Sequence, residues 1–159
     1  MPSSQTPWRR TLGRAAISGS LAAVASTLAL VVLGRLASGS GYGPNNAVSH
    51  WLWGKRATRQ DGPSAKYTLL GYLTHHGAAI FWALLFERLF ARRAHGTPSS
   101  ALATGATVAT LAAAVDYTIT PKRLTPGFEE RLSVASLVAV FAAFGAGLAL
   151  REMTRGLRR

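Results

Sequence analysis

The chain of 159 residues has no cysteine and only six acidic residues. The first absence excludes disulfides, cysteine-ligated zinc, thiol catalysis and cysteine-held iron–sulfur clusters. The second leaves eighteen Lys and Arg against those six acids, a formal charge of +12. Several catalytic signatures are missing as well: a Gly-rich phosphate loop, an H-E-x-x-H pair and a G-x-S-x-G turn. Charge itself is absent from four long stretches: Ala15 to Gly34, Tyr67 to Phe86, Thr97 to Val115 and Leu132 to Leu150. A helix rises about 1.5 Å per residue, so each stretch can cross a hydrocarbon layer about 30 Å thick.

What remains is therefore read as an all-α, four-helix transmembrane bundle. Its helices are expected near 15–37, 67–90, 97–120 and 130–151, within a single membrane domain spanning 15–151. Basic tails cover 1–14 and 152–159. The first apolar stretch is longer than a signal-peptide core and no A-x-A site follows it, which predicts a retained helix. The basic excess forms no patch with interleaved aromatics, so no nucleic-acid partner is expected. Lys and Arg instead flank the apolar stretches. Ten lie on the side of the termini and eight on the other, which predicts cytoplasmic termini in a bacterial inner membrane.

The first loop contains GSGYGPNN, which reads as a flexible turn, and then NNAVSHWLWGKRA. A short helix is expected near 46–57, lying on the membrane interface and capped by Asn46. Val48, Trp51 and Leu52 would share one face, with Trp51 and Trp53 at the headgroup level and Lys55 and Arg56 reaching phosphates. Glu129 and Glu130 read as first-turn acids of the fourth helix. Glu87 and Arg88 read as an interfacial charge cluster. Phe81 and Trp82 read as packing or lipid contacts.

Small residues spaced by four mark the packing faces. They are Ala15, Gly19, Ala23 and Thr27 in the first helix, Ala101, Gly105, Ala109 and Ala113 in the third, and Ala135, Ala139, Ala143 and Gly147 in the fourth. The second helix interrupts its row, Gly71, His75, Ala79 and Ala83, with an imidazole. His76 points about 100° away from it. The second and third helices are joined by a short loop centred near His95, which makes them antiparallel. Counting from that loop sets His75 level with Asp116. A carboxylate beside an imidazole favours an ion pair, so His75 and Asp116 form the candidate polar site, with Tyr72, His76, Tyr117 and Thr118 around it. Such a pair can fix helix register, bind a ligand or respond to protons. A metal would want a third ligand such as His50 or Glu129. No metal or other cofactor is demanded.

The stretches NNAVSHWLWG, HHGAAIFWALLFERLF, VDYTITPKRLTPGFEERLS and VFAAFGAGLAL together resemble a group of small bacterial inner-membrane proteins with no assigned activity. The resemblance spans about residues 45–150 and implies four membrane helices and an envelope location. It implies no functional residue. The third loop, with Pro121 and Pro126, is expected to be rigid, self-neutralising and a cap on the bundle. The leading expectation is a non-enzymatic structural or accessory membrane protein that binds lipid, a partner protein or a second copy of itself. One alternative is a small transporter or channel component with His75 and Asp116 at its polar site. Another is a membrane enzyme or cofactor-binding protein using the same cluster.

Overall fold

The computed structural model describes residues 7–90 and 97–156. The loop around His95, the first six residues of the basic N-terminal tail and the last three of the C-terminal tail lie outside them. Every regular element described is helical. Four helices are long and apolar enough to cross a membrane. The first, α1, runs Pro7–Ser38. Two short helices follow it, α2 at Gly43–Val48 and α3 at His50–Trp53. The second long helix has α4 at its centre, Leu70–Leu85, with π-helical turns Ala65–Leu69 and Phe86–Phe90 at its ends. The third is α5, Pro98–Thr118, and the fourth is α6, Val134–Gly156.

The hydroxyls of α5 are largely satisfied within the helix. Thr97 and Ser100 form a capping box at the start of α5, which answers backbone donors that a helix start leaves open. Within α5, Thr104, Thr107, Thr110 and Thr118 each donate to the carbonyl four residues back. A helix with those hydroxyls bonded internally can face hydrocarbon.

The helices pack in the order α4, α1, α6, α5. Glycine sets the close contacts. A Cβ on Gly19 of α1 would lie 2.7 Å from Ile80 Cα of α4. One on Gly147 of α6 would lie 2.5 Å from Ala22 Cα of α1. Across the α5–α6 seam, a Cβ on Gly145 would lie 2.9 Å from the Gly105 carbonyl oxygen. Backbones this close gain dispersion contact that lipid cannot supply.

The expected small-residue rows of α1 and α5 do face inward: Ala15, Gly19, Ala23, Ala101, Gly105 and Ala109 are buried. That of α6 does so only towards its C-terminal end, where Gly147 is buried against Ala22 of α1. Ala135 and Ala139 are exposed, and the buried row is Val140, Phe144, Leu148 and Glu152. Because α6 is flanked by both α1 and α5, larger side chains fill the space between its two contacts. Alanine is common enough on α6 to form a four-spaced row on its outer face as well.

Four boundaries and placements differ from expectation. First, α1 begins at Pro7, inside the segment read as a tail. Second, α6 starts at Val134 and continues to Gly156. Glu129 and Glu130 therefore belong to a separate 3-10 turn, Phe128–Glu130, and not to its first turn. Third, the first loop is not an interfacial helix over 46–57. All of α2 is buried, packed on α1 and α4, and a 3-10 turn at Gly54–Arg59 follows α3. Asn46 does not cap anything. Its amide donates to the carbonyls of Gln60 and Gly62, and its oxygen accepts from Thr68. A buried amide with three partners is satisfied. Fourth, Trp51 turns inward and donates to the Thr125 carbonyl at 2.8 Å, while Trp53 is 42% exposed beneath Lys66 Nζ.

The third loop does cap the bundle, although its charges are not balanced internally. Arg131 pairs with Asp61 of the first loop and donates to the Thr58 carbonyl. Gly127 adopts φ +90°, the left-handed region that disfavours a side chain. A Cβ there would meet the Ala47 oxygen and His50 Nδ1 at 2.5 Å. This tight turn tucks Phe128 and Leu132 into the core beside Leu30, Val48 and Val140.

Candidate functional site: a cavity between α4 and α5

Helices α4 and α5 are consecutive in the chain, yet they do not pack along their lengths. Contact with α5 comes through the Phe86–Phe90 turn. The reason lies in their faces. α4 places Gly71, Ala79 and Ala83 toward its buried side, and α5 gives its small row to α6. The surfaces left facing each other carry Phe81 and Trp82 on one side and Val115 and Asp116 on the other. A cavity of about 440 Å³ lies between the two helices, lined by large side chains such as Phe81 and Trp82 and by small ones such as Gly77, Ala78 and Ala112.

Its walls are mostly apolar. Phe81 and Trp82 of α4 face Ala112 and Val115 of α5, with Val140, Phe141 and Phe144 of α6 behind. Trp51, Leu124, Pro126 and Phe128 from the two loops close the end away from the chain termini. The polar groups are few: Ser26, Thr74, His75, Asp116 and Thr120. Phe81 is 57% exposed, so the wall it forms also meets the surroundings of the bundle. The seam opens sideways, toward lipid in a membrane.

His75 and Asp116 share this cavity but are not bonded to each other. His75 Nε2 lies 2.8 Å from Ser26 Oγ of α1. That hydroxyl is also 2.7 Å from the Ala22 carbonyl oxygen. A carbonyl only accepts, so the Ser26 proton goes to Ala22 and His75 Nε2–H is the donor to Ser26. In the neutral ring Nδ1 then carries a lone pair, and no described residue bonds to it. The imidazole is held further by an edge-on contact with Phe128, 6.3 Å between centroids. Asp116 likewise takes no hydrogen bond or ion pair from the described residues. The expected His75–Asp116 ion pair is therefore replaced by two separate groups on a shared cavity. Counting residues from the connecting loop presumed that the two helices pack along their lengths, whereas their main contact is at the Phe86–Phe90 turn.

The other expected site residues lie elsewhere. His76 is 3.0 Å from Ser20 Oγ of α1 and 3.1 Å from the Tyr72 hydroxyl, on the side of α4 turned from the cavity. Tyr117 stacks edge-on with Phe141 at 6.0 Å and is 39% exposed. Thr118 is exposed. Among the described residues no three His, Cys, Asp or Glu side chains come together as a metal site. His50 instead bonds to the Ala47 carbonyl at 3.0 Å. Phe81 and Trp82 read as packing or lipid contacts, and both also line the cavity. Sequence reasoning missed Ser26; the signal that could have found it is a hydroxyl among small residues on α1, a natural partner for an imidazole on another helix.

A second polar cluster sits at the opposite end of the bundle. Glu87 is buried within the bundle, with its side chain 1% exposed, as is that of Glu152. Arg151 lies 2.8 Å from Glu152 and 3.5 Å from Glu87, and Ser18 donates to Glu87 at 3.1 Å. Arg88 instead stacks 4.2 Å over the Trp8 ring. This cluster joins α1, the Phe86–Phe90 turn and α6.

No known protein-family model, curated protein or solved structure matches the chain. The site stands on its own chemistry.

Proposed function

We propose that this is an accessory integral protein of the bacterial cytoplasmic membrane, with cytoplasmic termini, that binds a membrane-dissolved amphiphile between α4 and α5. The observation that carries this reading is the cavity itself. Two consecutive membrane-length helices leave between them a gap lined by apolar groups and a few separated polar ones. Ligand sites have this composition: apolar walls give affinity, and sparse polar groups fix orientation. A sideways opening admits molecules from the bilayer without passage through water. The large exposed apolar residues along α1, among them Leu12, Ile17, Val24, Leu28 and Val32, suit contact with lipid. A conducting pathway is less well supported, because α4 and α5 meet at the Phe86–Phe90 turn and that end holds the Glu87–Arg151–Glu152 cluster.

Filling the cavity tests the reading. Ala78 lies at the centre of the arc of α4 residues that line it, between Thr74 and Trp82. Ala78→Trp is expected to occupy the gap and leave the α1–α4 contact intact. Organic extracts of the purified wild type should contain about one amphiphile per chain by mass spectrometry. Extracts of Ala78→Trp should lose it, with thermal stability retained. Equal extracts from the two proteins would contradict the proposal.

A further inference from the structure

Resting on that reading, we infer that the cavity between α4 and α5 selects an amphiphilic organic cation, a protonated or quaternary onium group on an apolar body, with Asp116 as its counter-ion. Three features select the charge. Asp116 is the acidic group of the lining, and no described residue pairs with it. No lysine or arginine is among the described lining residues. Glu129, on the third loop, is a second acid, and one of its carboxylate oxygens is buried without a hydrogen-bond partner. The nearby cations Lys122 and Arg123 are exposed on the third loop and do not line the cavity.

The walls favour the same class of ligand. Trp51, Trp82, Phe128 and Phe141 stand around the gap. Aromatic faces attract cations, and enclosures built from them are a recurring means of recognising quaternary ammonium groups. Fixed bonds limit what the remaining polar groups can offer. With Ser26 bonded to Ala22 and to His75, the neutral His75 ring presents an acceptor on Nδ1. Asp116 and His75 Nδ1 are acceptors with no described donor, beside the Thr74 and Thr120 hydroxyls that can donate or accept, and they suit a head that donates hydrogen bonds or carries positive charge. They oppose a phosphate or a carboxylate, which would face Asp116 unpaired.

Tetraphenylphosphonium and tetraphenylborate test this directly, since they share size and shape and differ in the sign of charge. Binding is measured by equilibrium dialysis in discs of zwitterionic lipid, with empty discs subtracted. The wild type should bind the phosphonium at least about tenfold more tightly than the borate. Asp116→Asn should remove about tenfold of phosphonium affinity, the scale of a lost interaction with a charged group. Ala78→Trp should bind neither ion. Equal binding of the two ions, or Asp116→Asn equal to wild type, overturns the cation assignment and leaves the cavity as a site for uncharged amphiphiles. Undiminished binding by Ala78→Trp overturns the cavity as the site for these ions. No saturable binding of either ion by the wild type overturns the cation assignment alone, since the extraction experiment reads neutral occupants separately.

Discussion

Replacing Arg151 with Met should destabilise the folded protein by about 3–5 kcal/mol, the range seen when one partner of a buried ion pair is removed. The guanidinium lies between two carboxylates whose side chains are each 1% exposed. Without it, Glu87 and Glu152 would face each other across a space shielded from water. One oxygen of Glu87 already has no hydrogen-bond partner, so that carboxylate leans on Arg151 and Ser18 for the stabilisation it does receive. Removing the charges together should behave differently. Arg151→Met combined with Glu87→Gln leaves one buried carboxylate instead of two and should recover part of the loss. Thermal unfolding in one detergent, read for both single variants and the double, supplies the cycle. Additive losses would mean that Glu87 and Arg151 act independently.

Gly105→Leu should be comparably damaging, for a different reason. A Cβ on Gly105 would run into the Gly145 carbonyl oxygen, with Ala149 Cβ at 3.3 Å beside it. The obstruction is backbone, so no rotamer change relieves it, and α5 must move away from α6. Overpacking a well-filled contact costs about 1–3 kcal/mol, and more where the backbone has to yield. Separation of these helices also removes a wall of the cavity, so Gly105→Leu should lose both its thermal transition and its bound amphiphile. Gly13→Leu is the matching control, since a Cβ on Gly13 of α1 meets nothing within 4 Å. The same loss in both variants would refute glycine contact as the cause.

The helix inventory was legible because charge is rare and unevenly placed. A run of about twenty uncharged apolar residues has few alternatives to a long helix. Helix rotation was legible on α1 and α5, where the four-spaced rows containing a central glycine, Gly19 and Gly105, are the buried ones. On α6 it was not, because alanine lies on several faces and the burial of Val140, Phe144 and Leu148 follows from having neighbours on two sides. The buried α2 was hidden for another reason. Gly43, Pro44, Asn45 and Asn46 read as a flexible turn, yet small size lets them fit beneath α1, where a Cβ on Gly34 would approach Pro44 Cγ to 2.6 Å. Asn46 is made tolerable there by the carbonyls of Gln60 and Gly62, more than a dozen residues away. Nothing local in the chain announces such partners.

The candidate site was legible in its members more than in its geometry. His75 and Asp116 stand out as polar groups in apolar stretches, and both line the cavity. Their relation was misjudged because a short connection suggests contact between the helices it joins. Here α5 turns its small-residue row to α6 and α4 packs on α1, which leaves the cavity between α4 and α5. The polar partners of both histidines lie on α1, at Ser26 and Ser20.

The open α4–α5 seam is tested most directly by thiol labelling, since the chain has no cysteine of its own. Val115→Cys places a thiol on the cavity wall. Ala109→Cys, on the same helix and 3% exposed, places one against α6. N-ethylmaleimide, which enters membranes, should modify the thiol at 115 and spare that at 109. Adding Ala78→Trp should protect position 115. Equal protection of 115 and 109 without the tryptophan would mean that α4 and α5 close against each other, and the cavity would then be no binding site.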